Sequence, residues 1–245
     1  MNFPNNPAGY TPTKKEMREL VHILKEAAKK GNDLIVFIDD AYFGLVYEAD
    51  VDIQSPFTYI AGLHENILAV KIDGATKEDY VWGFRTGFLT YGGKGLDPEV
   101  YDILEKKTAG GIRSSISSSP HLSQSLLLEV YRDPDYAAEK SQKYELLKSR
   151  YEKVKSVLAA NGERYREYFT PLPFNSGYFM CVALSPDVDG EAVRHILIEK
   201  YSTGVIFIHG VIRLAYSAIA KEKIETLFEN LYRACREQRR EKREK

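Results

Sequence analysis

Apolar positions along the chain follow two rhythms. Met17, Leu20, Val21, Leu24 and Ala28 recur at helical spacing. Thr13-Lys14-Lys15-Glu16 forms a capping box just after Pro12, and Gly31-Asn32 stops the pattern. The run Leu34 to Ile38 is apolar on both faces, as in an interior strand of a parallel sheet. Ile67 to Ile72 is a second strand of this kind, weaker at Lys71. Helix, strand, loop and strand in that order predict an α/β layered domain in the first third of the chain.

Beyond it, Arg85 to Leu89 reads as a short strand with Tyr91-Gly92-Gly93 as its turn, and Pro98 to Lys107 reads as a helix. Ser114 to Ser119 is a loop leading into a helix over Leu122 to Val130. From Asp135 to Ala160 a charged stretch carries Tyr144, Leu147, Tyr151, Val154 and Leu158 near helical spacing, and Asn161-Gly162 is its expected end. Such a helix of about 26 residues spans roughly 39 Å, enough to bridge two domains. Strands at Tyr165 to Phe169, Tyr178 to Ala183, Val205 to Ile208 and Val211 to Tyr216 then interleave with helices at Gly190 to Lys200 and Lys221 to Gln238. The pattern there is α+β, so the expected domains are 1–134 and 135–245.

Composition narrows the function. Hydrophobic residues make up 44% and aromatic residues 12%, enough for a real core. Lys plus Arg (34) balances Asp plus Glu (35), so no global field favours nucleic acid or a membrane surface. The basic tail, Arg236 to Lys245, reads as a solvated, frayed helix end. Two distant cysteines, Cys181 and Cys235, lack metal-ligand spacing and suit a reducing cytoplasm. No apolar run approaches the roughly 20 residues that span a bilayer.

Asp39, Tyr42, Lys77 and Arg85 all follow the C-terminal ends of the first two strands. In open parallel sheets those ends face the ligand crevice. An acid, a phenol, an amine and a guanidinium gathered there suit a phosphorylated nitrogen heterocycle bearing an aldehyde. Singly, each residue would be an ordinary surface group. Ser114 to Ser125 with His121 lacks a placed acid and makes no nucleophile constellation. Trp82, Tyr80 and His209 read as packing or turn residues.

The motifs resemble the class I/II aminotransferases, the fold-type I family that depends on pyridoxal phosphate. Asn6-Pro7-Ala8-Gly9 is similar to the family's Asn-Pro-Thr-Gly turn, and Asp39-Asp40-Ala41-Tyr42 to its Asp-x-Ala-Tyr segment. Lys77 and Arg85, eight residues apart, match the Schiff-base lysine and the phosphate-binding arginine. Asn175-Ser176-Gly177-Tyr178-Phe179 and Ile212-Arg213-Leu214-Ala215 resemble the small-domain strand and the carboxylate-binding arginine. The likeness runs nearly end to end and in order.

The resemblance implies a partial large domain with a mostly parallel sheet flanked by helices, followed by a small α+β C-terminal domain. It implies a cytoplasmic homodimer that transfers an amino group between an α-amino acid and a 2-oxo acid. Lys77 would hold the cofactor aldehyde and move the α-proton. Asp39 would pair with the pyridine nitrogen, Tyr42 and Asn6 with the phenolic oxygen, Arg85 with the phosphate and Arg213 with the substrate α-carboxylate. Gly74 stands where the family has a serine, a role Thr76 could partly fill. Glu78 and Asp79 beside Lys77 are unusual, and buried close by they would raise its pKa. The family's phosphate-binding loop and ring-stacking aromatic lie upstream of the Asn-Pro turn, so the chain corresponds to a C-terminal portion. Without the upstream strands, strand edges and faces would be exposed. The alternatives are a non-catalytic aminotransferase-like binding module and a β-lyase or decarboxylase of the same fold.

Overall fold

In the computed structural model, which describes residues 1–243, the first helix starts where its capping box predicts. Helix α1 is Lys14–Lys29. The Thr13 hydroxyl accepts from the Glu16 N–H, and the Glu16 carboxylate accepts from the Thr13 N–H. Gly31, at φ +86°, takes the left-handed position past its end, while the Asn32 amide donates to the Ala27 carbonyl at 2.8 Å. Met17 and Ala28 are buried beneath it.

Strand β1 is Leu34–Asp39, helix α2 is the single turn Phe57–Ile60, and strand β2 is Ile67–Asp73. Strands β1 and β2 pair in parallel, Leu34 against Ile67 and Asp39 against Ile72. Val36, Ile38, Ile67 and Ala69 pack with Ala28 and Ile60 into one core cluster. The expected interior position of β1 is corrected by the sheet order: β1 is an edge of a three-stranded sheet. Its outer side is bonded by Met1, whose carbonyl accepts from the Asp39 N–H at 2.8 Å. Alternate residues face away from the core, leaving Ile35 63% and Phe37 55% exposed.

Strand β3 is Phe88–Gly93 and runs antiparallel to β2. The expected strand began at Arg85 and turned at Tyr91-Gly92-Gly93; instead that triplet lies inside β3. Arg85 adopts φ +53°, which no strand accommodates. A Cβ on Gly92 would sit 2.6 Å from the Ala61 Cβ, so this glycine marks close packing of the segment after α2 and not a turn. Between β2 and β3 lies the one-turn helix α3, Ala75–Glu78.

Helix α4, Pro98–Ser115, opens with Pro at its N-terminus and runs through Gly110-Gly111, longer than predicted. Helix α5 is His121–Arg132. Helix α6, Tyr136–Tyr165, continues through Asn161-Gly162, its expected end. The Asn161 amide bonds back to the Val157 carbonyl at 3.1 Å, and Tyr165 is held by stacking on Phe169 (5.1 Å) and Phe228 (6.3 Å). Those aromatic contacts outweigh the roughly 1 kcal/mol that glycine costs in a helix. They also displace the strand expected from Tyr165.

The remaining strands are β4 (Phe169–Pro171), β5 (Met180–Leu184), β6 (Ile206–Ile208) and β7 (Val211–Leu214), in the antiparallel order β4-β5-β7-β6. Helix α7, Gly190–Tyr201, is capped by the Asp189 carboxylate, and helix α8 is Ile224–Arg243. Val182, Val193, Leu197, Ile212, Phe228 and Leu231 are fully buried in this unit. The basic tail is not simply solvated: Arg239 bonds Glu167 at 2.9 Å and pairs with Asp187, and Gln238 accepts from the Asp189 N–H. Residues 244 and 245 of that tail lie outside the described residues.

The chain divides into two compact units. Met1–Pro4 and Thr11–Lys140 form the first; Asn5–Tyr10 and the stretch from Ser141 onward form the second. Within the second unit the Gly9 carbonyl accepts from the N–H groups of Asn175 (2.9 Å) and Ser176 (3.0 Å). Gly9 has φ +70°, and a Cβ there would lie 1.9 Å from the Phe179 carbonyl oxygen.

Candidate active site

Strand register gathers the first unit's candidates at one edge of its sheet. Asp39 ends β1 opposite Ile72, and Asp73 ends β2 opposite Phe88, the first residue of β3. The loop from Gly74 to Gly87 closes over that edge. Asp39, Asp73, Gly74, Lys77, Arg85 and Thr86 line one open depression of about 290 Å³. That volume is near the lower limit of the roughly 300–1,000 Å³ typical of small-molecule sites.

The two consecutive acids separate by strand alternation. Asp39 lines the depression, its Oδ1 accepting from the Ala41 N–H at 3.1 Å. Asp40 points inward and is 1% exposed. Burial raises its carboxyl to about 6, against the opposing pull of Ser55 and of the Lys71 ammonium, 3.8 Å away. Lys71 also pairs with Asp73.

Lys77 sits on α3 with its Nζ 5.1 Å from the centre of the buried Tyr42 ring. The carboxylates that follow it are held by other groups. The Asp79 side chain, 3% exposed, accepts from the Tyr131 hydroxyl at 2.7 Å, the Tyr136 hydroxyl at 2.5 Å and Lys140 at 3.2 Å. Glu78 accepts from Lys140 at 3.1 Å. Burial, then Asp79, push the Tyr131 and Tyr136 phenols above their usual range. Burial lowers Lys140, but the Tyr136 hydroxyl and both carboxylates more than offset it and hold the ammonium above its usual range.

Arg85 is exposed, and its Nη1 lies 3.5 Å from the Trp82 carbonyl oxygen, too long to hold the guanidinium fork firmly. Its left-handed backbone costs about 1–2 kcal/mol. Thr86 beside it is buried against Gly74.

In the second unit, Arg213 on β7 donates to the Asn6 side-chain oxygen at 3.0 Å and lies 4.4 Å over the Phe179 ring. A larger depression there, about 680 Å³, is lined by Arg164, Tyr232, Arg233 and Glu237. Several of its charges are already paired: Arg164 and Arg233 with Glu229, and Glu237 with the neighbouring Lys200. Ser114 to Ser119 and His121 are exposed. Among the described residues there is no cluster suited to a metal, and no helix is long and apolar enough to cross a membrane.

The sequence model of the family described as "Aminotransferase class I and II" matches residues 1–231. The chain belongs to this family. Among curated relatives, the glutamate-pyruvate aminotransferase AlaA of Haemophilus influenzae is 33% identical over 90 residues, 37% of this chain and 20% of that protein. The LL-diaminopimelate aminotransferase of Methanocaldococcus jannaschii is 33% identical over 89 residues, 36% and 19% of the two chains. Among solved structures, an aminotransferase from Anaerococcus prevotii superposes with a TM-score of 0.79 at 25% identity, covering 96% of this chain and 56% of that one. The α-aminoadipate aminotransferase LysN of Thermus thermophilus, complexed with N-(5'-phosphopyridoxyl)-L-leucine, gives 0.72 at 17% identity, with 95% and 57% covered. The chain therefore spans little more than half the length of these structures and matches a fifth of its curated relatives.

In this member of the class I and II aminotransferase family, the structure brings Asp39, Tyr42, Lys77 and Arg85 together in the first unit, and Asn6 with Arg213 in the second. The donor set of the depression fits pyridoxal phosphate: a carboxylate for a ring nitrogen, an amine for an aldehyde and a guanidinium for a phosphate. Tyr131, Tyr136 and Lys140 escaped sequence reading. They lie more than 50 positions from Asp79, and no local pattern joins them.

Proposed function

We propose that this chain provides the pyridoxal-phosphate site of an aminotransferase that moves an amino group between an α-amino acid and a 2-oxo acid. One observation carries the reading: a chain of this family places Asp39, Lys77 and Arg85 around a single depression. When bound, pyridoxal phosphate supplies an electron sink for the pair of electrons left at the substrate α-carbon.

The chain's own residues do the rest. The Lys77 amine is the nucleophile for the aldehyde carbon and, once released, takes and returns the α-proton at Nζ. Asp39 keeps a proton on the ring nitrogen by offering it a carboxylate. The Tyr42 hydroxyl serves the ring's phenolic oxygen, and the family resemblance assigns the Asn6 amide to the same atom. Arg85 holds the phosphate through its planar fork of donors. Arg213 takes the substrate α-carboxylate in the same bidentate manner, which favours substrates that keep that group. Action as a cytoplasmic homodimer belongs to the same reading, and two buried, free cysteines are consistent with that compartment.

A second reading, a non-catalytic aminotransferase-like module, is favoured by Arg85, which is exposed and whose Nη1 lies 3.5 Å from the Trp82 carbonyl oxygen, too far to be held firmly. One experiment separates the two. Pyridoxal phosphate is added to the protein and to Lys77→Ala, the absorption spectrum is recorded, and borohydride-treated samples are mapped by mass spectrometry. A visible band that needs Lys77, with the reduced adduct on that residue, is the expected result, to be followed by a screen of amino donors. Folded protein without a Lys77-dependent band overturns the enzymatic reading in favour of the module.

A further inference from the structure

Three charged side chains sit in a row at the candidate lysine: Lys77, Glu78 and Asp79. Left to themselves, two carboxylates so close to an amine favour its protonated, non-nucleophilic form. The structure routes them elsewhere. Asp79 receives three donors from outside its own loop: Tyr131 at the end of α5, and Tyr136 and Lys140 on the first turns of α6. Glu78 shares the Lys140 ammonium. Tyr131 and Tyr136 stack edge to face at 5.4 Å, which fixes both hydroxyls toward the same carboxylate. Lys140 is also bonded to the Tyr136 hydroxyl at 3.1 Å and lies over its ring, so the cation is seated.

We propose that Lys140 is a positioning residue, which, with Tyr131 and Tyr136, draws the Glu78 and Asp79 carboxylates away from Lys77 and leaves its amine available to an aldehyde. The inference deepens the function proposed above and rests on it. Among the described residues, the other charged and titratable groups that line the depression or lie against Lys77 include Asp39 from β1, Asp73 from β2 with its partner Lys71, Tyr42 beneath the amine, and Arg85 from the loop before β3. None of these belongs to the carboxylate clamp. Removing the Lys140 charge leaves two uncompensated carboxylates beside Lys77 while all of those groups stay in place.

The test reads the Lys77 amine itself. Carbamoylation of Lys77 by cyanate is followed by mass spectrometry across pH, alongside the rate of adduct formation with pyridoxal phosphate. In Lys140→Met, the pH midpoint of both reactions moves alkaline by about one unit, making Lys77 roughly tenfold slower near neutrality. Lys140→Arg keeps the parent profile, and adding Asp79→Asn to Lys140→Met, which leaves only Glu78 uncompensated, brings the midpoint part of the way back. A folded Lys140→Met with an unchanged midpoint overturns the proposal, as does a shift that Asp79→Asn leaves undiminished. If Lys140→Met does not fold, Asp79→Asn alone decides. An unchanged midpoint is expected there, and an acid shift means that Asp79 already acts on Lys77. Cyanate labelling needs no cofactor, so a parent protein that forms no pyridoxal phosphate adduct counts against the proposed function alone.

Discussion

A Cβ built on Gly74 would lie 2.6 Å from the carbonyl oxygen of Thr86. The two residues stand at opposite ends of the loop that carries Lys77, and their backbones approach closely at the position where the family resemblance implies a serine. The glycine therefore follows from loop closure, which leaves no room for a side chain there.

Restoring the family residue should accordingly fail. Gly74→Ser is expected to destabilise the protein by about 1–3 kcal/mol, as overpacking does. It should not tighten pyridoxal phosphate binding. Denaturant midpoints and a cofactor titration check both halves; tighter binding without loss of stability would contradict this account.

Gly9 is the second glycine without an alternative. With φ +70° and a Cβ position 1.9 Å from the Phe179 carbonyl oxygen, Gly9→Ala meets both backbone strain and a clash. The expected cost exceeds about 2 kcal/mol. In the same denaturation series Ala8→Thr, at the neighbouring position where the family has threonine, should lie within roughly 1 kcal/mol of the parent.

Asp40 gives the stability a pH dependence of known sign. Its folded carboxyl is raised from 3.8 to about 6, so between those values the folded protein binds more protons than the unfolded chain. This contribution is complete below 3.8 and is lost as pH rises through about 6. Asp40→Asn keeps the shape without the charge and leaves Lys71 its partner Asp73. The variant should gain on the parent between roughly pH 4 and pH 7. Melting temperatures at both ends of that range measure it, and a gap that narrows with rising pH would refute it.

Arg85 sets stability against binding. Arg85→Gly removes the left-handed penalty but adds freedom to the unfolded chain, for a net gain of about 0.5–1 kcal/mol. The same change should weaken pyridoxal phosphate binding roughly tenfold or more through loss of the charged fork. Arg85→Lys, which keeps charge without the fork, should bind between the two. Paired melting and titration experiments test this trade.

The sequence was legible wherever local chemistry decides structure. Thr13 and Glu16 cap each other, Asp39 follows a strand, and Lys77 and Arg85 fall in one loop; each could be read from neighbours a few positions away. Three errors share another origin. Asn161-Gly162 did not stop α6 because Tyr165 finds aromatic partners, two of them, Phe228 and Tyr232, far along the chain. Gly92-Gly93 did not turn because Ala61 and Leu96 press against them. The edge position of β1 depends on which strands are present, a global property. The clamp on Asp79 is the same case within the site: its partners come from two other helices, and spacing along one segment cannot announce them.

Residues 5–10 belong to the second unit although residues on either side of them belong to the first. The polypeptide thus changes allegiance three times, at 4/5, 10/11 and 140/141. No single cut yields two self-sufficient products. A piece beginning at Ser141 would carry Asn175 and Ser176 but leave behind the Gly9 carbonyl that both amides use. To the translating ribosome, that carbonyl is made some 165 residues before its donors. The second unit must wait with an early-synthesised segment in hand, so its completion is tied to the last third of the chain.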